Sequence, residues 1–556
     1  MPRDPDEGSA VVFDLVGHGE PGPGGPRDAL GVDGAAQVVA SDVSDGADRE
    51  PDAPGAGAWW RAVPTVAAVL AVVVGTGIAS DGVRDAARIE RMRDFGGVVE
   101  DVSAPLTEKW VWDGTVGVGT DWDGTEAMVL GDVLAFQSGR DLIALDPATG
   151  EEAWVVPLGD DPVCGPAGVS PYEGTSARPV STTVCLSGAA ADREVVTVRP
   201  DGTVSAPRAL DASDARRHGP ARPGPDGTVL RATRVGPESE VDRGDARCED
   251  TGECGGTVTA GRDVELRAES AVTGAELWTV TVPFEEADAR ECMEASWADQ
   301  SGQLAFDGEV HPDAFGARVT ADLVRLFGCG VEATVTPDGV LLGPGRETGY
   351  VESLALGGYA WLDHSGPGRT VVQADDGAVV VDLAGHVRGP RVADGVGPDT
   401  LLGTDETGQR LLAYEADGVP RWDVEARAPH QMFLAQVGRT AVVAAQGADV
   451  KGLDIETGGE RWRRDVSADG DEVLETFTDG RAVLLHLYQV ELGLRRMVSL
   501  DAATGEVLWR ETDEAATSRT EAARTGLDDE QPPVLMLVAV DGHLLEVSRD
   551  AVRGLG

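Results

Sequence analysis

Short apolar runs along this chain end on an acidic residue and a Thr-Gly pair, and each is followed by a second run that carries a tryptophan. Leu142-Ile143-Ala144-Leu145-Asp146-Pro147-Ala148-Thr149-Gly150 leads to Trp154. Val450-Lys451-Gly452-Leu453-Asp454-Ile455-Glu456-Thr457-Gly458 leads to Trp462, and Met497-Val498-Ser499-Leu500-Asp501-Ala502-Ala503-Thr504-Gly505 leads to Trp509. The pattern predicts a strand, a tight turn and a second strand in every copy. Asp146, Asp454 and Asp501 can bond backbone amides in Asx-type turns, while Gly150, Gly458 and Gly505 can take a positive φ. The tryptophan offers a large apolar face to a neighbouring sheet. A unit of this size cannot bury its own core, so the copies must stack on one another.

Weaker copies lie between the strong ones. Ser270 to Trp278 keeps the Thr-Gly pair and the Trp, and Tyr414 to Trp422 keeps an acidic turn and the Trp. Val195 to Val204 and Val379 to Gly389 keep only strand, turn and strand. In the C-terminal third, successive turns stand about 40 residues apart, the length of a four-stranded propeller blade. With three copies of Leu-Asp-x-x-Thr-Gly-x-x-x-Trp, the chain resembles the PQQ-like β-propeller repeat family, of BamB and quinoprotein type. The resemblance runs from roughly residue 105 to 556 and is diffuse between 160 and 350, where long inserts fall. It implies an all-β propeller of four-stranded blades. Seven or eight blades accommodate the turns, with eight preferred. Trp110 and Trp112 are expected on an outer strand that pairs with a strand at 544–549 and closes the ring, leaving no open sheet edge.

A different apolar pattern covers residues 62–80, which are uncharged and long enough at about 1.5 Å per residue to cross a bilayer core of roughly 30 Å. Trp59 and Trp60 stand at its edge as interfacial anchors. The expected layout is an acidic disordered tail at 1–58, a transmembrane helix at 59–81, a juxtamembrane helical stalk at 82–98 and the propeller repeat domain at 99–556. The stretch begins too far into the chain for a cleaved signal peptide and reads as a single-pass signal anchor. One apolar island in the tail, Val11 to Val16, is the place where a cytoplasmic partner could dock.

Charge and cysteines decide the side of the membrane. Four arginines, Arg84, Arg88, Arg91 and Arg93, flank the apolar segment on its C-terminal side, which by the positive-inside rule places that side in the cytoplasm. The six cysteines, Cys164, Cys185, Cys248, Cys254, Cys292 and Cys329, all follow the segment, and an even set on one side of a membrane points to disulfides and an oxidising exterior. Sequence order gives Cys164–Cys185, Cys248–Cys254 and Cys292–Cys329 as the candidate pairs among fifteen pairings. The cysteines carry more weight, so the expected topology has the N-terminus in the cytoplasm and the propeller outside, in the cell envelope. The chain carries 46 basic and 97 acidic residues, a formal charge of −51. Such a surface excludes nucleic-acid binding through basic patches and favours solubility.

The resemblance raises one chemical possibility. Quinoprotein dehydrogenases hold PQQ beneath a ring of two adjacent cysteines and bind Ca²⁺ through Glu, Asn and Asp. No adjacent cysteine pair occurs here and asparagine is absent from the chain, so PQQ catalysis is not expected. Asp465 to Glu472 and Asp121 to Glu126 gather carboxylates beside glycines as calcium loops do, but neither has the twelve-residue EF-hand spacing. No catalytic, cofactor-binding or metal residue is therefore assigned. The eight histidines lie outside recognisable catalytic contexts, and His486 is read as a half-buried strand residue. The expected function is a non-catalytic, membrane-anchored recognition scaffold that binds protein partners through propeller loops, notably 159–181, 206–226, 236–256 and 284–318. The alternative is a ligand sensor or enzyme that uses the propeller channel.

Overall fold

The computed structural model describes Met92 and residues 96–117, 127–166, 179–189, 193–237, 247–248, 254–292, 310–343, 349–354, 357–363, 368–405, 407–425, 432–444, 449–466, 471–489, 494–512 and 536–556. All of these belong to one compact unit, 75–556. The acidic tail and the apolar segment 62–80 lie outside the described residues. Among the described residues, no helix is long and apolar enough to cross a membrane.

Each strong repeat folds as its residues dictate. The Asp146 carboxylate accepts from the amides of Ala148 and Thr149 at 2.9 and 3.0 Å, and Asp501 does the same for Ala503 and Thr504 at 3.1 and 2.8 Å. The following glycine turns left-handed, with φ of 71° at Gly150 and Gly458 and 68° at Gly505. The hairpins around these turns carry a bulge, between Ala144 and Leu145, Gly452 and Leu453, and Ser499 and Leu500. An extra residue there lets the outer strand twist away from its partner.

Antiparallel sheets built this way repeat around a ring. Among the described residues there are nine, each with four or more strands. In chain order, blade 2 spans 128–157, blade 3 163–209, blade 4 221–282, blade 5 315–342, blade 6 349–384, blade 7 386–425, blade 8 432–465 and blade 9 471–512. Blade 1 combines three strands from 536–555 with the strand Glu108–Asp113. The propeller therefore has nine blades, not the seven or eight expected. The missed sheet is blade 5, whose turn at Thr336 to Val340 is followed by no tryptophan. The stretch Val379 to Gly389 also misled the count. It joins the outer strand of blade 6 to the inner strand of blade 7 and is not the hairpin of one blade.

The ring closes as foreseen in principle but on a different strand. Glu108–Asp113 pairs with Ala551–Leu555, and His543–Val547 lies one strand further in. Of the stalk expected at 82–98, only Met92 and residues 96–98 are among the described residues. Val98 and Val99 already form parallel bridges with Thr478 and Gly542.

The cores lie between blades. Phe136, Leu145, Val538 and Val552 pack blade 2 on blade 1, and Val442, Trp462, Leu485 and Leu500 pack blade 8 on blade 9. The repeat tryptophans fasten these seams. Each indole lies on the turn glycine of the next blade and donates its Nε1 to a carbonyl there. Trp110 reaches Pro147 O at 3.2 Å, Trp154 Pro200 O at 2.7 Å, Trp278 Pro337 O at 2.8 Å, Trp422 Ile455 O at 2.9 Å and Trp462 Ala502 O at 2.9 Å. Trp509 ends the series on Val102 O at 2.8 Å, which ties blade 9 to the segment leading into the ring. Between blades 3 and 4 the same post is held by Arg208, whose Nε donates to Ala271 O at 2.8 Å.

Candidate functional site

In a four-stranded meander the first and third turns lie at one end of the sheet and the second turn and the connection to the next blade at the other. The propeller thus has two unlike faces. On one are the short Asx turns. The chain also enters here, with Val99 N bonded to Thr478 O at 3.0 Å and Glu100 N to Gly542 O at 2.8 Å. Extra segments lie along the inner edges of several blades near this face. Val180 bridges Leu130, and Val392–Ala393 adds a fifth, parallel strand inside blade 8. The Arg391 guanidinium fixes that strap, donating to Val473 O and Leu474 O of blade 9 at 3.1 Å each.

The opposite face carries two long connections of blade 4. Two connections, 236–262 within blade 4 and 283–314 between blades 4 and 5, build a small knob from short pieces. Arg247–Cys248 pairs with Cys254–Gly255, placing Cys248 opposite Cys254 in the ladder. Thr257–Val258 pairs with Ala287–Asp288, and a 3-10 turn follows at Ala289–Cys292. Cys292 is disulfide-bonded to Cys329 of blade 5, 37 residues on. These two cysteines, Val258 and Ala287 form a buried cluster against Phe284 and Val310. In blade 3, Cys164 is disulfide-bonded to Cys185 on the adjacent strand.

Arg234 pins the knob to the ring. Its guanidinium donates to Arg262 O at 2.6 Å, Asp313 O at 3.3 Å, Ala314 O at 3.1 Å and Cys329 O at 2.7 Å, and it lies 5.4 Å from the centre of the Phe315 ring. Four carbonyls from three separate segments converge on one planar cation, so the segments cannot part without leaving it unpaired. Burial pushes its pKa down to about 10, which leaves it charged at neutral pH. Arg262 answers by donating to Arg234 O at 2.7 Å. Neither arginine stands out in the sequence, since no repeat position marks them. The strand run Thr228 to Val235, with arginines at 231 and 234 among apolar residues, is the one visible signal. Among the described residues of the two connections, Glu285, Glu286, Asp288, Glu291 and Asp313 are acidic.

The other candidate residues are dispersed. Asp146, Gly150, Trp154, Trp278, Trp422, Asp454, Gly458, Trp462, Asp501, Gly505 and Trp509 lie around the ring as turn and packing residues. His486 is buried on its strand, with Nδ1 against the Glu475 carboxylate. Asp121 to Glu126 and residues 467–470 of the second acidic cluster lie outside the described residues. Among the described residues, no group of three or more His, Cys, Asp or Glu is placed to hold a metal ion.

Residues 407–531 match the family model described as Outer membrane protein assembly factor BamB. A search of curated proteins gives no match. Among solved structures, BamB from Moraxella catarrhalis is 11% identical with a TM-score of 0.33, covering 81% of this chain and 99% of its own. Quinohemoprotein alcohol dehydrogenase from Comamonas testosteroni is 12% identical with a TM-score of 0.31, covering 83% of this chain and 78% of its own. The computationally designed Ika8 protein is 13% identical with a TM-score of 0.28, covering 71% and 98%. The family match falls on blades 7 to 9, and the chain is an all-β propeller of four-stranded blades whose C-terminal blades are similar to the PQQ-like repeat family.

Proposed function

We propose that this protein is a non-catalytic recognition scaffold of the cell envelope. Its propeller is anchored through residues 62–80 and presents the knob on blades 4 and 5 to a protein partner. The observation that carries this reading is the contrast between the faces. The entry side carries the short Asx turns and inner straps at Val180 and Val392–Ala393. The opposite side holds an acidic knob fixed by the Cys292–Cys329 disulfide and the Arg234 carbonyl cage. Loops held rigid on a scaffold are suited to recognition, because little ordering entropy is lost on binding. The family match, whose description names an assembly factor, supports protein interaction as the class of function.

A photo-crosslinking residue at Asp288 or Glu291, both exposed on the knob, is expected to yield a discrete protein adduct in intact cells. The same residue at Thr457 or Ala503, exposed on the entry face, is expected to yield none. Equal adducts from both faces, or PQQ-dependent alcohol oxidation by the purified protein, would overturn the reading.

A further inference from the structure

The outer rim of the entry face changes character along the ring. In blades 4, 6, 7 and 8 the bulge leaves one residue of the outer strand unpaired just past the third turn. In blades 7 and 8 that residue is Arg421 and Arg461, each paired with an acid of its own turn, Glu415 and Asp454. In blades 4 and 6 it is Leu277 and Val380, which are 55% and 45% exposed. Val272, Leu341, Val379 and Val419 are exposed beside them, so each of blades 4 to 7 places an aliphatic side chain at this end of the propeller. Among the described residues, blade 8 exposes none there and blade 9 only Leu508.

The seam contacts make these side chains neighbours. Trp278, next to Leu277, lies on Gly339 of blade 5, two residues before Leu341. Val340 lies on Gly377 of blade 6, two residues before Val379. Val381, next to Val380, lies on Gly418 of blade 7, and Val419 follows. The aliphatic positions therefore form one strip that runs from blade to blade. Single exposed aliphatics are ordinary on a protein surface, whereas a contiguous apolar strip rimmed by polar groups marks a place of interaction. The polar groups here are acids. Glu276, Asp338, Asp375, Asp376, Glu415 and Asp417 stand on the same turns. Arg267 pairs with Glu276 at 2.9 Å and Arg421 with Glu415 at 3.6 Å. On the adjoining strands, Arg369 and Arg410 pair with Asp382 and Asp423. Among the described residues this leaves Asp338, Asp375, Asp376 and Asp417 with no ion pair. The first turns of blades 4 and 5 add Asp226 and Asp322, and burial together with the Asp338 and Asp322 carboxylates pushes the Asp226 pKa up.

We propose that the strip from Leu277 to Val419 docks a protein partner that presents an apolar ridge flanked by lysine or arginine. The aliphatic side chains supply the dehydrated centre of the contact, and the aspartates on the turns orient a cationic border. The same charges select against the other occupants of an apolar surface. A second copy of this chain carries −51 and an anionic bilayer is also negative, so both are repelled. The strip is separate from the knob, which stands on the opposite face, and from Thr457 and Ala503, which belong to blades 8 and 9.

A photo-crosslinking residue at Ala378 or Ala416, both exposed within the strip, is expected to give the same protein adduct from the full-length chain in intact cells. Val379→Asp combined with Val380→Asp is expected to abolish that adduct. The melting temperature of the purified chain should not change, because both side chains are already exposed. Val419→Asp, on a different blade, is an independent variant expected to lower the yield about tenfold, since it buries an unpaired carboxylate in the contact. Asp375→Asn combined with Asp376→Asn is expected to lower the yield about threefold through lost attraction to the cationic border. An adduct at twice the mass of this chain, an adduct with lipid alone, or no adduct would overturn the proposal. So would a yield that ignores the valine substitutions or rises when the carboxylates are removed.

Discussion

Gly505→Ala tests the seam mechanism most directly. Gly505 has φ 68°, and an ideal Cβ there would lie 2.3 Å from Cδ2 and 2.4 Å from Cε3 of Trp462, the indole of the preceding blade. Left-handed backbone costs a residue with a Cβ about 1–2 kcal/mol. The indole must also retreat. It is 5% exposed and packed among Val442, Leu485 and Leu500, so moving it strains a filled core at about 1–3 kcal/mol. Retreat also breaks its 2.9 Å bond to Ala502 O, worth about 1 kcal/mol. The expected cost is about 3–6 kcal/mol. Gly139→Ala is the control, because Gly139 has φ 60° and nothing within 4 Å of the added carbon. It should lose only the backbone strain, about 1–2 kcal/mol. Urea unfolding followed by tryptophan fluorescence compares the two. In the background of Trp462→Ala, Gly505→Ala should cost no more than Gly139→Ala, since the ring it strikes is gone. Equal costs for the two glycines in the wild-type background would refute the claim that the glycine exists to receive the indole.

Three further outcomes follow from the geometry. Removal of residues 551–556 takes away the strand that pairs with Glu108–Asp113, and it is expected to abolish the cooperative unfolding transition seen by calorimetry. The Arg461 guanidinium holds the Asp454 carboxyl down to about 2, from 3.8, so this contribution to stability is complete above pH 4 and is lost as pH falls through about 2. Arg461→Met should raise the midpoint of the Asp454 carbon resonance, followed by NMR, toward 3.8, with the bonds from Thr457 and Glu456 N still holding it below that value. Replacing Cys292 and Cys329 together by serine opens a loop of 37 residues, for which chain entropy gives about 4 kcal/mol. Protease should then cleave the knob connections well before the blades, and cleavage of the blades at the same rate would refute the view of the knob as a separately stapled insert.

The parts of this fold legible in the sequence are those where a side chain and a turn must coincide. Asp, Thr and Gly at fixed offsets write a hairpin directly, and the tryptophan four residues past the glycine is the visible half of a seam. Blade 5 was hidden because its outer strand, Leu341–Leu342, is two residues long and no indole follows its turn. Val340 meets Gly377 of blade 6 instead, and a valine on an apolar run carries no signal. The closing strand was misplaced because 543–547 and 551–555 are both short apolar runs, and only the register with Trp110 and Trp112 distinguishes them. The knob was legible as cysteine-bearing insertion, but not as a built site. Arg234 acts through backbone carbonyls, which every residue possesses, so no partner residue in the sequence marks the cage.

The seams also explain where the repeat grammar fails. Seven of the nine junctions described use a donor on the outer strand that reaches a carbonyl beyond it, six indoles and Arg208. At the junctions from blade 5 to 6 and from 6 to 7, Val340 and Val381 press on Gly377 and Gly418 and donate nothing. Leu341, Val379 and Val380 remain exposed along that rim. The departures from the rule, Arg208 and the two valines, fall on blades 3, 5 and 6, around the blades that carry the knob. A ring needs its register in every blade but can spend uniformity where a surface is adapted, and local rules break where a function has been built. The recurrent blades 7 to 9, 1 and 2 then hold the ring closed through Trp509 and Val102, and the irregular arc from 3 to 6 is free to vary without opening it.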